Sequence, residues 1–577
     1  MKPNSRFVSL VLAGALALTA STGAFAAATP ETALPEEGII LEEGAVSTVD
    51  PEPAPTPEST PAAQTAPAAE APATQAEVPA EETPASPLPS VEDPSGTTGE
   101  EGSQTTFDSG FTGSSLLDPN SQMVPALISA NFYYDEAHRV LTLVNQIRSQ
   151  YGLNPLTWDS ELEKTAALRA AECSVSFSHT RPNGEPCYTA YPSGLYLAGE
   201  NIAAGTATDT AEEVVNLWMN SPGHRANILN PNYTTMSVGM VYVSGTRYGY
   251  YWSQNFAGGS GDGQYAYSGT GSSTVISEAV GTAAQVAVKN FVIRLYELVL
   301  GRTPETDGLA NWYNALVTGS QTGAEAAQGF FFSEEFLNKN TSDTEYLETL
   351  YRTMLDRPSD SSGLAYWLDV MDTGFSRTYI YRGFAESTEF SQICANAGIV
   401  RGSVTLTESR DQNPGVTGFV SRLYSIAFSR TPDAGGLNNW TAAILGGART
   451  PEQVGYEFFF STEMKMKNLS DEEFVRLLYR VFLDREPDKN GINDWVSCMK
   501  AGMKRDAILY GISKSAEFNT ILNSFGLSAT QGEMVYVVAA DNNYHTAGCA
   551  KMTGKRTIPL LLQDAVNIGY TPCSSCR

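Results

Sequence analysis

The chain is poor in histidine, in basic charge and in long apolar runs. Its 577 residues include four His and 36 Lys plus Arg against 64 Asp plus Glu, giving a formal net charge of -28. A surface of that sign speaks against nucleic acid as a partner. Between Phe7 and His138 there is no Lys or Arg at all, while the stretch from Glu31 to Asp118 holds 18 acidic residues. Beyond the N-terminal segment no apolar run approaches the roughly 20 residues of a membrane-crossing helix, so the chain is not expected to span a membrane. His-Glu-x-x-His, a Gly-x-Ser-x-Gly elbow and a phosphate loop are also absent, which removes the commonest metalloprotease, serine hydrolase and nucleotide-binding signatures.

What is present begins with an export signal. Lys2 and Arg6 form a basic start, Phe7 to Ala20 is apolar but short, and Ala24-Phe25-Ala26 is a small-x-small cleavage site. Residues 1–26 are therefore expected to be a signal peptide, and the mature chain to be extracellular, secreted or held at the cell surface. Residues 27–130 are dominated by Ala, Pro, Thr, Glu and Ser, with Pro51, Pro53, Pro55 and Pro57 alternating. Such a composition buries too little apolar area to offset ordering entropy, and predicts a long disordered linker stiffened by proline and like charge. A second linker, rich in Gly and Ser, is expected at 258–280.

Residues 131–257 between them read as one α+β or three-layer domain. Val140, Val144, Ile147 and Tyr151 recur at helical spacing, and Ser160 with Glu163 reads as a capping box for a helix carrying Leu162, Ala166, Arg169, Cys173 and Phe177. Thr210 with Glu213 opens a third helix, and Ser221-Pro222 a short fourth. Val238, Met240 and Tyr242 alternate, as do Tyr250, Trp252 and Gln254, around a Ser244-Gly245 turn.

Six motifs carry a resemblance: Asn145-Gln-Ile-Arg148, Tyr151-Gly-Leu-Asn-Pro-Leu156, Phe177-Ser-His-Thr-Arg-Pro-Asn-Gly184, Gly199-Glu-Asn-Ile202, Trp218-Met-Asn-Ser-Pro-Gly-His-Arg-Ala-Asn-Ile-Leu229 and Trp252-Ser-Gln-Asn-Phe256. In this order they resemble the bacterial branch of the CAP superfamily, the SCP-like proteins related to cysteine-rich secretory proteins, antigen 5 and pathogenesis-related 1. The resemblance implies an α-β-α sandwich with an open cavity and no single agreed activity. It carries His179, Glu200 and His224 onto this chain as cavity residues that could hold a divalent metal. The second glutamate of the family's eukaryotic members falls on Ser221, which leaves Glu200 as the one obvious base.

Beyond residue 281 the chain repeats itself. Phe291, Tyr346, Phe419 and Phe474 each precede a Trp by 21 residues (Trp312, Trp367, Trp440, Trp495). Between them recur Arg302, Arg357, Arg430 and Arg485, an acid (Glu305, Asp360, Asp433, Asp488) and Gly308, Gly363, Gly436 and Gly491. The spacing makes two helical doublets, 281–400 and 416–527, which resemble the bacterial DUF4214 family. One carboxylate per loop is too few for Ca²⁺, so the Arg is expected to pair with the acid across the turn, and the Trp to be core.

The tail, 530–577, holds His545-x-x-x-Cys549 and Cys573-x-x-Cys576, a Cys₃His set suited to tetrahedral zinc; a disulfide clip is the alternative. The set resembles small modules at the ends of some secreted bacterial proteins. So short a segment is expected to depend on the metal for folding, with Pro559 to Val566 supplying a helix. Of the remaining cysteines, Cys173 and Cys187 flank the His179 loop closely enough for a disulfide.

The whole reads as a multidomain chain: linker, CAP-like α-β-α sandwich, mostly α-helical repeats and a zinc module. The expected function is binding of a small-molecule, lipid or peptide ligand, with the repeats contacting a cell-envelope or host-surface partner. Catalysis is not the first reading. The alternatives are a metal-dependent extracellular hydrolase and a structural cell-envelope protein.

Overall fold

The computed structural model describes residues 40–47, 114–528 and 530–576. The expected signal peptide and most of the acidic arm lie outside them. Six strands form one sheet in the order β1-β3-β5-β4-β2-β6: β1 (Ile40–Ser47), β2 (Met123–Tyr133), β3 (Tyr196–Gly205), β4 (Thr235–Tyr242), β5 (Tyr250–Gly258) and β6 (Thr270–Val280). Helices α1 (Tyr134–Gln150) and α3 (Ala211–Asn220) share a core with Met236, Val238, Met240 and Trp252. On the other face α2 (Ser160–Val175) packs with Ile202, Val241 and Tyr251. Alternate residues of the same strands thus enter different cores, and the result is an α-β-α sandwich. Gly239 permits this closeness, since a Cβ there would lie 2.2 Å from the Ala166 carbonyl oxygen of α2. The short helix α4 (Pro222–Ile228) begins at Pro222, as its sequence predicts.

The domain is larger than 131–257. Three strands fall wholly or mostly in segments whose composition points to linkers: β1 and most of β2 in 27–130, and β6 in 258–280. β6 pairs with β2 from Met123↔Val280 to Tyr133↔Thr270. Its Gly and Ser content hid it, because an edge strand needs few inward apolar groups, and here Val275, Ser277 and Glu278 are the buried ones. The cap of α2 also differs: Asp159 accepts from the Leu162 amide, while Glu163 turns inward to the Trp158 indole and His138.

No spacer separates sandwich from repeats. β6 ends at Val280 and a Thr282–Gln285 capping box starts the first repeat helix, Ala283–Arg294. Leu116 and Val124 enter the core of the first doublet, and buried Lys289 donates to the Asp118 and Ser121 carbonyls at 2.8 Å. The four Trp-bearing helices are α5 (Thr306–Val317), α6 (Ser361–Asp372), α7 (Ala434–Leu445) and α8 (Lys489–Lys500).

The repeated loop is built differently from the expected turn. Each Arg stacks on a Tyr, 4.7–5.1 Å from the ring centre at Tyr296, Tyr351, Tyr424 and Tyr479. Each also pairs with an acid in the following helix start: Glu335, Glu389, Glu463 and Glu517. Arg302 also pairs with Glu305 and Arg357 with Asp360, but Asp360, Asp433 and Asp488 chiefly cap the next helix through Gly363, Gly436 and Gly491. The recurring Gly admits the Tyr hydroxyl, which would sit 2.3–2.9 Å from a Cβ at all four positions.

Candidate functional site

Two clusters gather the chain's chemistry. In the sandwich, α2 places Arg169 and Glu172 one turn apart on its buried face, β3 supplies Glu200, and the loop after α2 supplies His179 and Arg181. Glu200 is fully buried and accepts from Arg169 Nε at 2.9 Å, Arg169 Nη2 at 3.3 Å, Ser253 Oγ at 3.2 Å and His179 Nδ1 at 2.8 Å. An ionised carboxylate only accepts, so His179 Nδ1 carries the proton. Burial alone would raise the Glu200 carboxyl; the Arg169 guanidinium and the His179 hydrogen bond outweigh it and hold it at about 2. Glu172, equally buried, accepts from Arg169 Nη1 at 2.7 Å, Arg181 Nη2 at 2.8 Å and Ser277 Oγ of β6 at 2.6 Å. Two guanidinium groups and two carboxylates thus form one closed, buried network.

The expected trio His179, Glu200 and His224 does not close into one ligand set. The ligand atoms that lie within 4.8 Å of one another are those of His179, Cys187 and Glu200. His224 sits on α4 with Nδ1 2.7 Å from Ser221 Oγ, and α4 is pinned to β3 by Asn201 Nδ2 donating to the His224 carbonyl and Asn227 Nδ2 to the Glu200 carbonyl. A divalent ion on Glu200 would have to share that carboxylate with the Arg169 guanidinium, and Glu172 is clamped the same way. These donors do not fit a divalent metal. Cys187 does not supply a nucleophile either, because burial and the neighbouring Glu200 push its thiol up to about 12. The Cys173–Cys187 disulfide is not formed: both residues are buried thiols. Cys173 packs in the α2-side core, whereas Cys187 turns toward His179 and Glu200.

Arg169 is the residue that pattern reading placed but did not weigh. A lone Arg on an otherwise apolar helical stripe, followed three residues later by Glu172, signals a buried ion pair.

The tail forms a second sheet, β10-β8-β7-β9, from β7 (Met534–Val538), β8 (Asn543–His545), β9 (Thr557–Leu561) and β10 (Thr571–Pro572). Pro559 to Leu561 belong to β9, and the helix is the shorter Leu562–Asn567. Here the four expected ligands meet: His545, Cys549, Cys573 and Cys576 have their ligand atoms within 4.8 Å. His545 Nδ1 lies 3.4 Å from Cys549 Sγ and 3.8 Å from Cys576 Sγ, and its Nε2 lies 3.1 Å from Asp541 Oδ2. A carboxylate behind a ligating imidazole is the support that zinc sites use. The Ser575 amide, donating to Cys573 Sγ at 3.4 Å, helps pull that thiol down to about 6, while burial and Cys576 hold Cys549 above its ordinary value. This donor set fits zinc.

The tail is not an isolated module. Val535, Val537, Ile558 and Leu560 join the core of the second doublet beside Phe518 and Ile508. Arg556 lies 5.1 Å over the Trp495 ring, and the Ala540 amide donates to the Gly502 carbonyl.

Comparison with known proteins follows the same divisions. Residues 141–256 match the family model described as CAP, the cysteine-rich secretory protein family. Residues 272–340, 327–394, 402–467 and 455–522 each match DUF4214, a domain of unknown function. The chain is similar to two Bacillus subtilis proteins. One is the uncharacterized protein YkwD, 42% identical over 125 residues, which are 21% of this chain and 46% of that protein. The other is the uncharacterized membrane protein YlbC, 32% identical over 133 residues, 20% of this chain and 33% of that one. The matched segment therefore spans less than half of either relative. Among solved structures, an extracellular SCP-domain protein of Bacillus anthracis is 30% identical over 22% of this chain and 41% of its own, with a TM-score of 0.19. An outer surface protein of Borrelia burgdorferi is 21% identical over 22% of this chain and 94% of its own, with a TM-score of 0.20.

Proposed function

For a chain that carries a CAP domain followed by four DUF4214 repeats, we propose a non-catalytic, exported binding protein. Its sandwich is the ligand-binding head, its repeats a rigid helical support, and its tail a structural zinc site. The observation that carries the reading is the state of Glu200. Every acceptor position that a general base would use is already engaged by Arg169, His179 and Ser253, and the nearby thiol is held protonated. A buried base clamped by a guanidinium stabilises a fold and resists taking a substrate proton.

In the tail His545, Cys549, Cys573 and Cys576 would hold the ion, with Asp541 orienting His545. When bound, zinc supplies closure of the two ligand-bearing segments, 545–549 and 573–576. No helix among the described residues is long and apolar enough to cross a membrane; export rests on the expected N-terminal signal.

The test uses the purified mature chain on peptide, ester and peptidoglycan panels, with and without EDTA. No turnover is expected under either condition. Chelator-sensitive turnover that disappears in His179→Ala and His224→Ala would replace the binding reading with the hydrolase.

A further inference from the structure

The second Trp unit of each doublet runs in register with the other at a constant offset of 128 residues, so that Trp367 of α6 corresponds to Trp495 of α8. What covers the two indoles differs. On the second doublet the tail lies over Trp495. Arg556 sits 5.1 Å from the ring centre and 3.5 Å from Asp494 Oδ2, and two residues on Ile558 of β9 packs so closely that a Cβ on Gly511 would lie 3.0 Å from its Cγ2. Met503 is buried beside Tyr570 of the tail, and Tyr510 is 3% exposed.

On the first doublet the same positions lie nearer solvent. The counterpart of Asp494 is Tyr366, 59% exposed, and that of Tyr510 is Arg382, whose side chain is 45% exposed. The three atoms nearest a Cβ on Gly383, the counterpart of Gly511, all belong to Trp367. Tyr366 stands edge-on to Trp367 with ring centres 5.1 Å apart, and Phe375, the counterpart of Met503, stacks on Tyr379 at 4.2 Å. Trp367, Phe375 and Tyr379 are half-buried. The start of the second doublet meets one end of this face, where Arg410 Nη1 donates to the Gly374 carbonyl at 3.0 Å; the Ala540 amide of the tail plays that part at Gly502.

Charge distinguishes the two faces as well. Where α8 carries Ser497 and Lys500, α6 carries exposed Asp369 and Asp372, and Glu386, paired with Arg382, stands in place of Lys514. Asp369 follows Tyr366 by three residues and so shares its side of the helix. A cation brought over Trp367 gains the attraction of the ring face and of a nearby carboxylate. The second doublet shows which kind of segment satisfies such a surface: an extended one with a cation and, two residues on, an aliphatic side chain on the same side.

We propose that the face formed by Tyr366, Trp367, Phe375 and Asp369 is a docking surface for an extended segment of a partner protein, which places a cation over Trp367 and an aliphatic side chain beside Gly383 as Arg556 and Ile558 do on the second doublet. The surface belongs to the repeats and is independent of what the sandwich binds.

The experiment uses the full mature chain with its tail in place and a fluorescein-labelled synthetic peptide of residues 553–560, read by fluorescence polarisation. Saturable binding is expected, weakened about 5-fold by Tyr366→Ser, which removes an exposed ring and leaves the core intact. A peptide carrying Arg556→Glu should bind about 10-fold more weakly to the wild-type chain and regain affinity for the Asp369→Lys chain, a charge reversal that a merely structural role of Asp369 would not produce. Asp494→Asn, at the matching position of the second doublet, should leave peptide binding unchanged. Absence of saturable binding, or equal binding by Tyr366→Ser, overturns the docking surface. Binding sensitive to Asp494→Asn and not to Tyr366→Ser overturns it too, by placing the peptide on the second doublet in exchange with the tail. Binding of soluble peptidoglycan fragments that is lost in Tyr366→Ser, without binding of the peptide, would replace the protein partner with a glycan.

Discussion

The sandwich cluster and the tail cluster draw on the same kinds of side chain and arrive at opposite states. In the sandwich, His179, Cys187 and Glu200 lie close together, but Arg169 already provides the positive charge that the carboxylate requires. In the tail, His545, Cys549, Cys573 and Cys576 converge with no cation among them, and the Asp541 carboxylate stands behind the imidazole. Proximity of ligand-type residues is therefore not what makes a metal site. The deciding quantity is whether the protein has already neutralised the donors.

Removing the tail metal is the largest test of that contrast. Elemental analysis of the mature chain should find one zinc, lost in Cys549→Ser; two zinc ions, or one that survives Cys549→Ser, would break the comparison. Metal binding is worth about 10 kcal/mol or more in isolated zinc-finger peptides. A smaller loss is expected here, because β7 and β9 keep their shared core with the second doublet when the ion leaves. Circular dichroism after chelation should show retained repeat helices and partial retention of the tail.

Next in size is Arg169→Met. It strips the guanidinium from fully buried Glu200 and leaves Glu172 with Arg181 alone, and breaking a buried pair from one side costs about 3–5 kcal/mol. Denaturant unfolding should show that loss, and a wild-type midpoint in this variant would refute the guanidinium-closed reading.

Acid should then separate the two clusters by sign. Glu200 is held at about 2 in the fold against an ordinary 4.5. Its contribution, on the order of 3 kcal/mol, is therefore complete above the unfolded value and lost as pH falls from about 5 toward 2. Asp564, buried at the junction of tail and second doublet beside Glu452 and Lys514, is shifted upward, chiefly by burial. A raised folded value contributes stability below the unfolded pKa that is lost as pH rises through the folded one. Metal-free tail docking, followed by hydrogen exchange, should accordingly tighten in mild acid while the sandwich weakens. Identical acid profiles for both regions would erase the distinction.

The smallest effect is expected from Asp541→Asn. Loss of an outer partner of a ligating His typically weakens metal binding roughly 10- to 100-fold without abolishing it. Competition with a chromogenic chelator measures the change, and an unaltered affinity would show that His545 needs no orienting carboxylate.

Much of this was readable from residue order. The six sandwich motifs, the fourfold Phe/Tyr-to-Trp register and the Cys₃His spacing each name local chemistry, and the family matches fall on the first two of these segments. Less readable were the strands. β1 and β6 lie in Pro/Glu- and Gly/Ser-rich stretches whose composition argues for linkers, and only their partners β3 and β2 make them strands. Sequence spacing points each repeat arginine to the acid across its turn, and Arg302 and Arg357 do pair there. The fold adds for each a glutamate 32 or 33 residues further on, because the Tyr ring beneath it fixes where the guanidinium points.

The sequence by itself determined which side chains are available, where the helices start, and that the tail carries four zinc-type ligands at workable spacing. Those are short-range properties, set by capping, periodicity and the reach of a turn. Tertiary structure decided that Arg169 closes the carboxylate pair, that Cys187 rather than His224 joins His179 and Glu200, and that the tail shares its core with the second doublet. Each of these depends on which groups meet out of water across long stretches of chain, where Coulomb attraction and desolvation are strongest and sequence distance carries no information.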